Sequence, residues 1–158
     1  MFSYIFVEHK IVLFKSESFL GFTPCPVRIE SLSKLSASDI PNNGGYDFAC
    51  IFDALHDMGD PVGVARKIRE SLKPGGTLMV VEPMAGDNIE DNLHALGGVF
   101  YAASTLICLP TSRSQDVALC LGAQAGPKRL IGVLEEAGFA TVRIATTSPT
   151  NIVIEATN

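Results

Sequence analysis

Four side chains able to move or hold a proton sit at the ends of two apolar runs. Asp53, His56 and Asp57 follow the first run, and Glu82 closes the second. An imidazole whose ordinary pKa is near 6.5 suits a general base that takes a proton from a hydroxyl or an amine. A histidine just past a strand end also serves by bonding a loop carbonyl or shaping a pocket, and the sequence leaves both roles open for His56. Asp53 and Asp57 are placed to orient it, and Asp57 equally to close the turn before Gly59. Glu82 either faces a substrate or bonds backbone amides.

The elements that must position these groups are legible between Tyr46 and Pro83. Tyr46 to Phe52 is almost unbroken apolar sequence, the pattern of a strand covered on both faces. Asp60 offers a cap to a helix start and Pro61 fits the first helical position. Ala65, Ile68 and Leu72 then recur at helical spacing while Arg66, Lys67, Arg69 and Glu70 take the wet side. Pro74 stops that helix, Gly75 and Gly76 turn the chain, and Thr77 to Glu82 reads as a second buried strand. Strand, helix and strand form a right-handed crossover, so both strand C-termini lie at one edge of the sheet. Ligands of open α/β sheets bind at that edge.

Beyond Pro83, the spacing of Leu93, Leu96, Phe100, Ala103 and Ile107 predicts a helix from about Glu90 to Cys108, ended by Pro110. Gly126 and Pro127 start another helix, facing the core with Leu130, Val133, Leu134 and Ala137 and capped by Gly138. Thr141–Ala145 and Asn151–Ala156 read as strands joined around Pro149.

The chain has 158 residues, enough for one domain with a sizeable core. Its net charge of −5 falls entirely on residues 47–158, and no run of Lys and Arg is present to neutralise phosphates, which argues against a nucleic-acid partner. Cys25, Cys50, Cys108 and Cys120 are scattered, without a CxxC pair or histidines at metal spacing, so reduced, packed thiols and no metal are expected. The apolar runs near the N-terminus are interrupted by Glu8, His9 and Lys10; they are too short to span a membrane and read as a hairpin or an edge strand. A cytoplasmic location is expected.

IFDALHDMGDP, LKPGGTLMVVEP, DNLHALGGVFYAASTLIC, LGAQAG and LEEAGFATVRIA, in this order, resemble the class I S-adenosylmethionine-dependent methyltransferases of the small-molecule branch. The likeness covers roughly Val27 to the C-terminus. It implies an α/β fold with a Rossmann-like sheet and an antiparallel C-terminal strand pair. It also implies S-adenosylmethionine in the cleft between the first and fourth strands and methyl transfer to a small-molecule acceptor. Carried onto this chain, the likeness makes Phe52, Asp53, Ala54, Leu55 and Asp57 cofactor-binding residues. Glu82, Asn92, Tyr101 and Gln124 become the polar lining of the acceptor pocket, with His56 as the catalytic candidate.

The glycine-rich loop of GxGxG type that the family places after its first strand has no counterpart here. Residues 1–26 read as an unrelated or degenerate leader, and residues 27–158 as the C-terminal part of a methyltransferase domain. Val27 to Ser31 resembles the third strand, and Ser31 to Ala37 the loop passing the adenine. Without a first strand, Tyr46–Phe52 becomes an exposed apolar edge, a template for pairing unless the leader or another copy covers it. A non-catalytic interaction protein, homo-oligomeric through that edge, is therefore the alternative reading. A nicotinamide-dependent oxidoreductase would share the parallel sheet, but GxGxxG is absent as well.

Overall fold

The computed structural model describes residues 2–7, 11–15, 29–35, 40 and 44–158, with side-chain burial for 11–13, 40 and 44–158. Seven strands form one sheet: β1 (Phe2–Val7), β2 (Ile11–Lys15), β3 (Ile29–Leu35), β4 (Tyr46–Phe52), β5 (Leu72–Pro83), β6 (Thr141–Thr147) and β7 (Asn151–Thr157). Their order is β3-β1-β2-β4-β5-β7-β6.

The crossover expected between Tyr46 and Pro83 is present. β4 pairs parallel with β5, joined by α1 (Pro61–Ser71), whose N-terminus is capped by Asp60 accepting from the Gly63 amide at 2.8 Å. That cap is worth about 1 kcal/mol. Ala65 and Ile68 of α1 are fully buried. β5 starts at Leu72 rather than Thr77, and its register with β4 shifts between Tyr46 and Phe48, where Pro74, Gly75 and Gly76 interrupt regular pairing.

Two further expectations hold at the C-terminal end. α4 (Pro127–Glu136) starts after Gly126 and is followed by Gly138, and these glycines have φ of 76° and 96°. β7 lies antiparallel between β5 and β6, burying Ile152, Ile154 and Ala156 on alternate positions while β6 stays exposed. α1 and α4 pack against each other on one side of the sheet, where Leu130, Val133 and Leu134 join Ala65, Ile68, Leu78 and Val80 in the core.

The N-terminal strands decide between two expectations for the edge of β4. β1 and β2 form an antiparallel hairpin, and β2 pairs antiparallel with β4 along Ile11–Ile51, Val12–Cys50, Leu13–Ala49 and Phe14–Phe48. Of the two expected covers for the β4 edge, the leader or another copy, the leader is the one present, and pairing with another copy through that edge loses its basis. Ile11 and Leu13 are completely buried, because alternate residues of β2 complete the apolar face begun by β4. β3 pairs parallel with β1 at the outer edge. It runs to Leu35, so the loop expected from Ser31 is strand over most of its length, and its last residues lie outside the described ones.

The direction of β2 has a consequence at the ligand edge. In the position beside β4, the resemblance implies a strand parallel to β4 that ends in a glycine loop. Here the strand runs the opposite way, so the ends facing the carboxyl terminus of β4 are Val7 and Ile11.

The helix expected over Glu90–Cys108 is also redrawn. A short 3-10 turn spans Glu90–Asn92, and the main helix begins after His94, whose Nδ1 accepts from the Gly97 amide at 3.1 Å. It continues as α2 (Ala95–Ala103), a π-helical stretch Ser104–Cys108, and α3 (Leu109–Arg113). Pro110 does not end it, because the wider π turn just before the proline takes up its missing donor and its ring. The buried face is Gly97, Ser104, Cys108 and Ser112, whereas Leu93, Val99, Leu106 and Ile107 are exposed. By length and composition alone, Ala95–Arg113 is long and apolar enough to cross a membrane.

Candidate active site at the carboxyl edge of the sheet

β4 ends at Phe52, and the next residue, Asp53, has φ of 42°, a left-handed turn unusual for a residue with a side chain. The Asp53 amide donates to the Val81 carbonyl at 2.8 Å, so the tight turn folds residues 54–57 over the end of β5. Glu82 waits there. Its side chain is 1% exposed; Oε1 accepts from the amides of Ala54 (3.2 Å) and Leu55 (2.8 Å), and Oε2 bonds His56 Nδ1. One buried carboxylate thus holds both the loop and the imidazole, which is how its desolvation is offset.

His56 is 5% exposed. Burial alone pushes its pKa down, but the hydrogen bond and charge of Glu82, then the charges of Asp57 and Asp53, outweigh it and leave the pKa raised. Its Nε2 lies 3.2 Å from Asp57 Oδ1. That oxygen is itself buried and has no aligned hydrogen-bond partner. The thiol of Cys108 reaches the same place from the helix. Burial, followed by its interaction with Asp57, pushes it up to about 11. His56 Nε2 or Nδ1, a carboxylate oxygen of Asp57 and Cys108 Sγ lie within 4.8 Å of one another.

A strap from Gln115 to Gly122 lies along this loop. Gln115 Oε1 accepts from the Gly59 amide at 2.9 Å and its Nε2 donates to the Asp57 carbonyl at 3.0 Å. Leu119 and Gly122 amides donate to the carbonyls of Gly59 and His56. Val117, Ala118 and Cys120 all have positive φ, strain that the strap's hydrogen bonds must hold in place.

The remaining residues singled out from sequence divide. Ala54 and Leu55 are buried and their amides are taken by Glu82, so within this stretch Phe52, 38% exposed, and half-buried Asp53 present surface at the edge. Asp53 Oδ1 accepts from Asn151 Nδ2 at 3.3 Å. Asn92 is buried and its amide ties a loop, accepting from the Gly86 amide and donating to the carbonyls of Gly86 and Asn88. Asn92 and Tyr101 also line an open depression of about 490 Å³ with Leu93, His94, Ala95 and Gly98. Gln124 donates to the Ala123 carbonyl, and its Oε1 is buried without a partner.

Sequence reasoning missed Cys108, Gln115 and Ser112. No spacing signals that Cys108 meets His56 across more than fifty residues. Ser112, whose hydroxyl donates to the Met58 carbonyl at 2.8 Å and accepts from the Cys120 amide at 3.1 Å, looks in sequence like an ordinary helix-end serine.

The methyltransferase domain family matches residues 12–119. No curated protein sequence matches the chain. Among solved structures it is similar to human N-acetylserotonin methyltransferase in complex with SAM, at TM-score 0.57 and 21% identity over 84% of this chain and 35% of that one. CalH in complex with SAH gives TM-score 0.56 and 20% identity, over 80% of this chain and 35% of that one. A SAM-dependent methyltransferase from Thermotoga maritima gives 0.52 and 17%, over 80% and 63%. The chain therefore spans between about a third and two thirds of these proteins' lengths. With its matched region running from β2 to the strap, and its sheet and neighbours alike of the Rossmann-like kind, the chain belongs to the methyltransferase domain family.

Proposed function

We propose that the chain serves S-adenosylmethionine-dependent methyl transfer to a small-molecule acceptor in the cytoplasm, in a form that lacks the family's glycine-rich loop and so holds its cofactor mainly from the β4 side. The observation that carries this reading is the buried Glu82–His56 pair at the carboxyl edge of β4 and β5, inside the matched region. The cofactor supplies a methyl group already activated on a sulfonium, so the protein's task is in-line positioning and removal of the acceptor's proton.

Phe52 and Asp53 fit one side of the cofactor, an apolar ring and a carboxylate at the strand end. The facing strand ends are Val7 and Ile11 instead of a glycine loop. Glu82 holds Nδ1 of His56, which leaves Nε2 to accept a proton from the acceptor. To do so Nε2 must exchange its present neighbour, Asp57, for the acceptor's hydroxyl or amine; the Asp57 side chain is 32% exposed and has room to turn. Tyr101 beside the open depression and the orphaned Gln124 oxygen are the polar groups we assign to acceptor binding. The three described cysteines are free, in keeping with a reducing compartment.

Methyl transfer from labelled S-adenosylmethionine to a panel of hydroxyl and amine acceptors tests the reading. The expected result is turnover that His56→Gln lowers about 10²–10⁴-fold with little change in KM. Turnover unaffected by His56→Gln would remove the histidine from the chemistry.

A further inference from the structure

We propose that His56, Asp57 and Cys108 form a binding site for a thiophilic divalent cation, zinc being the best fit. These are the three donor types that zinc accepts, imidazole nitrogen, carboxylate oxygen and thiolate sulfur. They come from two elements that the fold brings together, the loop after β4 and the π stretch of the long helix. Their ligand atoms lie within 4.8 Å of one another. A zinc tetrahedron, with bonds of about 2.0–2.3 Å, needs its donors roughly 3.3–3.8 Å apart, so the cluster would contract by about an ångström to close on the ion.

Two independent features point the cluster at a cation. Nδ1 of His56 is bonded to the buried Glu82 carboxylate, the arrangement in which a metal-ligating histidine has its ring fixed by an outer carboxylate and presents the other nitrogen to the ion. The Asp57 oxygen facing Nε2 at 3.2 Å is buried and lacks an aligned donor, so a cation taking the place of a proton on Nε2 would meet both atoms. Three protein ligands leave a fourth position open, and the partly exposed Asp57 side chain marks the way in.

Binding displaces to solvent the Cys108 thiol proton and, where the imidazole is charged, the Nε2 proton of His56, leaving a thiolate and a neutral imidazole on the metal; nothing is oxidised or reduced. The ion would occupy Nε2, the atom proposed above as the base, so it would compete with methyl transfer. The inference does not rest on that reading, because uptake is measured without any turnover.

The test uses the full chain stripped of metal with a chelator, then titrated with zinc against a chromophoric indicator and, separately, with cobalt(II). One equivalent of zinc is expected, and cobalt(II) should show a thiolate-to-metal charge-transfer band in the near ultraviolet. Cys108→Ser should abolish the band and weaken zinc binding at least about 10-fold, and Glu82→Gln should weaken it about 10–100-fold, while Cys120→Ser should change neither. Circular dichroism of each metal-free variant checks folding, with Cys108→Ala replacing the serine variant if that one fails to fold. Absence of stoichiometric uptake by the stripped chain, or Cys108 variants that bind zinc and show the cobalt band as the parent does, would overturn the proposal.

Discussion

At the scale of single residues, Glu82 decides whether the site exists. It is a buried carboxylate with two amides and an imidazole on its oxygens, so removing it strands three groups at once. Glu82→Ala should cost about 3–5 kcal/mol in urea unfolding; a loss below about 1 kcal/mol would mean the loop is held by something else. His56 adds a pH signature. Its folded pKa is raised above the unfolded value, so its contribution to stability is complete below about pH 6.5 and is lost as pH rises through the folded value. In chelator-treated protein, the stability gap between the parent chain and His56→Gln should therefore shrink as pH is raised from 6 toward 9, read from paired urea midpoints. A gap that widened would contradict the assigned direction. His56, Asp57 and Glu82 were legible in the sequence because they flank apolar runs. Cys108 was not, since its neighbour is set by a distant helix that packs against the loop after β4.

At the scale of elements, the crossover from β4 to β5 follows from local chemistry: an apolar run, the Asp60 cap, the proline after it and the glycine pair. The long helix was misread for an equally local reason. Proline is a reliable breaker only where the α-helical register is kept, and the π stretch Ser104–Cys108 shifts that register just before Pro110. Its apolar spacing also misled, because the inward face uses Gly97, Ser104, Cys108 and Ser112 and leaves Leu106 and Ile107 outside. Two adjacent glycines test this placement. A methyl group on Gly97 would meet the Asn92 carbonyl oxygen at 2.0 Å, whereas one on Gly98 would meet nothing within 4 Å. Gly98→Ala should stabilise the protein by about 0.5–1 kcal/mol, and Gly97→Ala should destabilise it. Equal effects in thermal melts would mean that the helix faces the core differently.

At the scale of the whole molecule, the notable feature is a sheet completed by a hairpin where the resemblance implies a strand, a glycine loop and the rest of a cofactor wall. The sequence showed the two short apolar runs but not their partner, because a strand's neighbour is a long-range property that periodicity does not carry. Leu13 is the residue to question: it is completely buried beside Ala49, so Leu13→Ala should cost about 2–5 kcal/mol, while a change under about 0.5 kcal/mol would place β2 outside the folded core. The central claim is that this rebuilt sheet still holds the methyl donor, and isothermal titration of the folded chain with S-adenosylhomocysteine tests it most directly. The account predicts saturable binding at one site with Kd of about 100 μM or tighter, worth roughly 5.5 kcal/mol. No detectable heat at millimolar ligand, from a sample shown to be folded by circular dichroism, would contradict it.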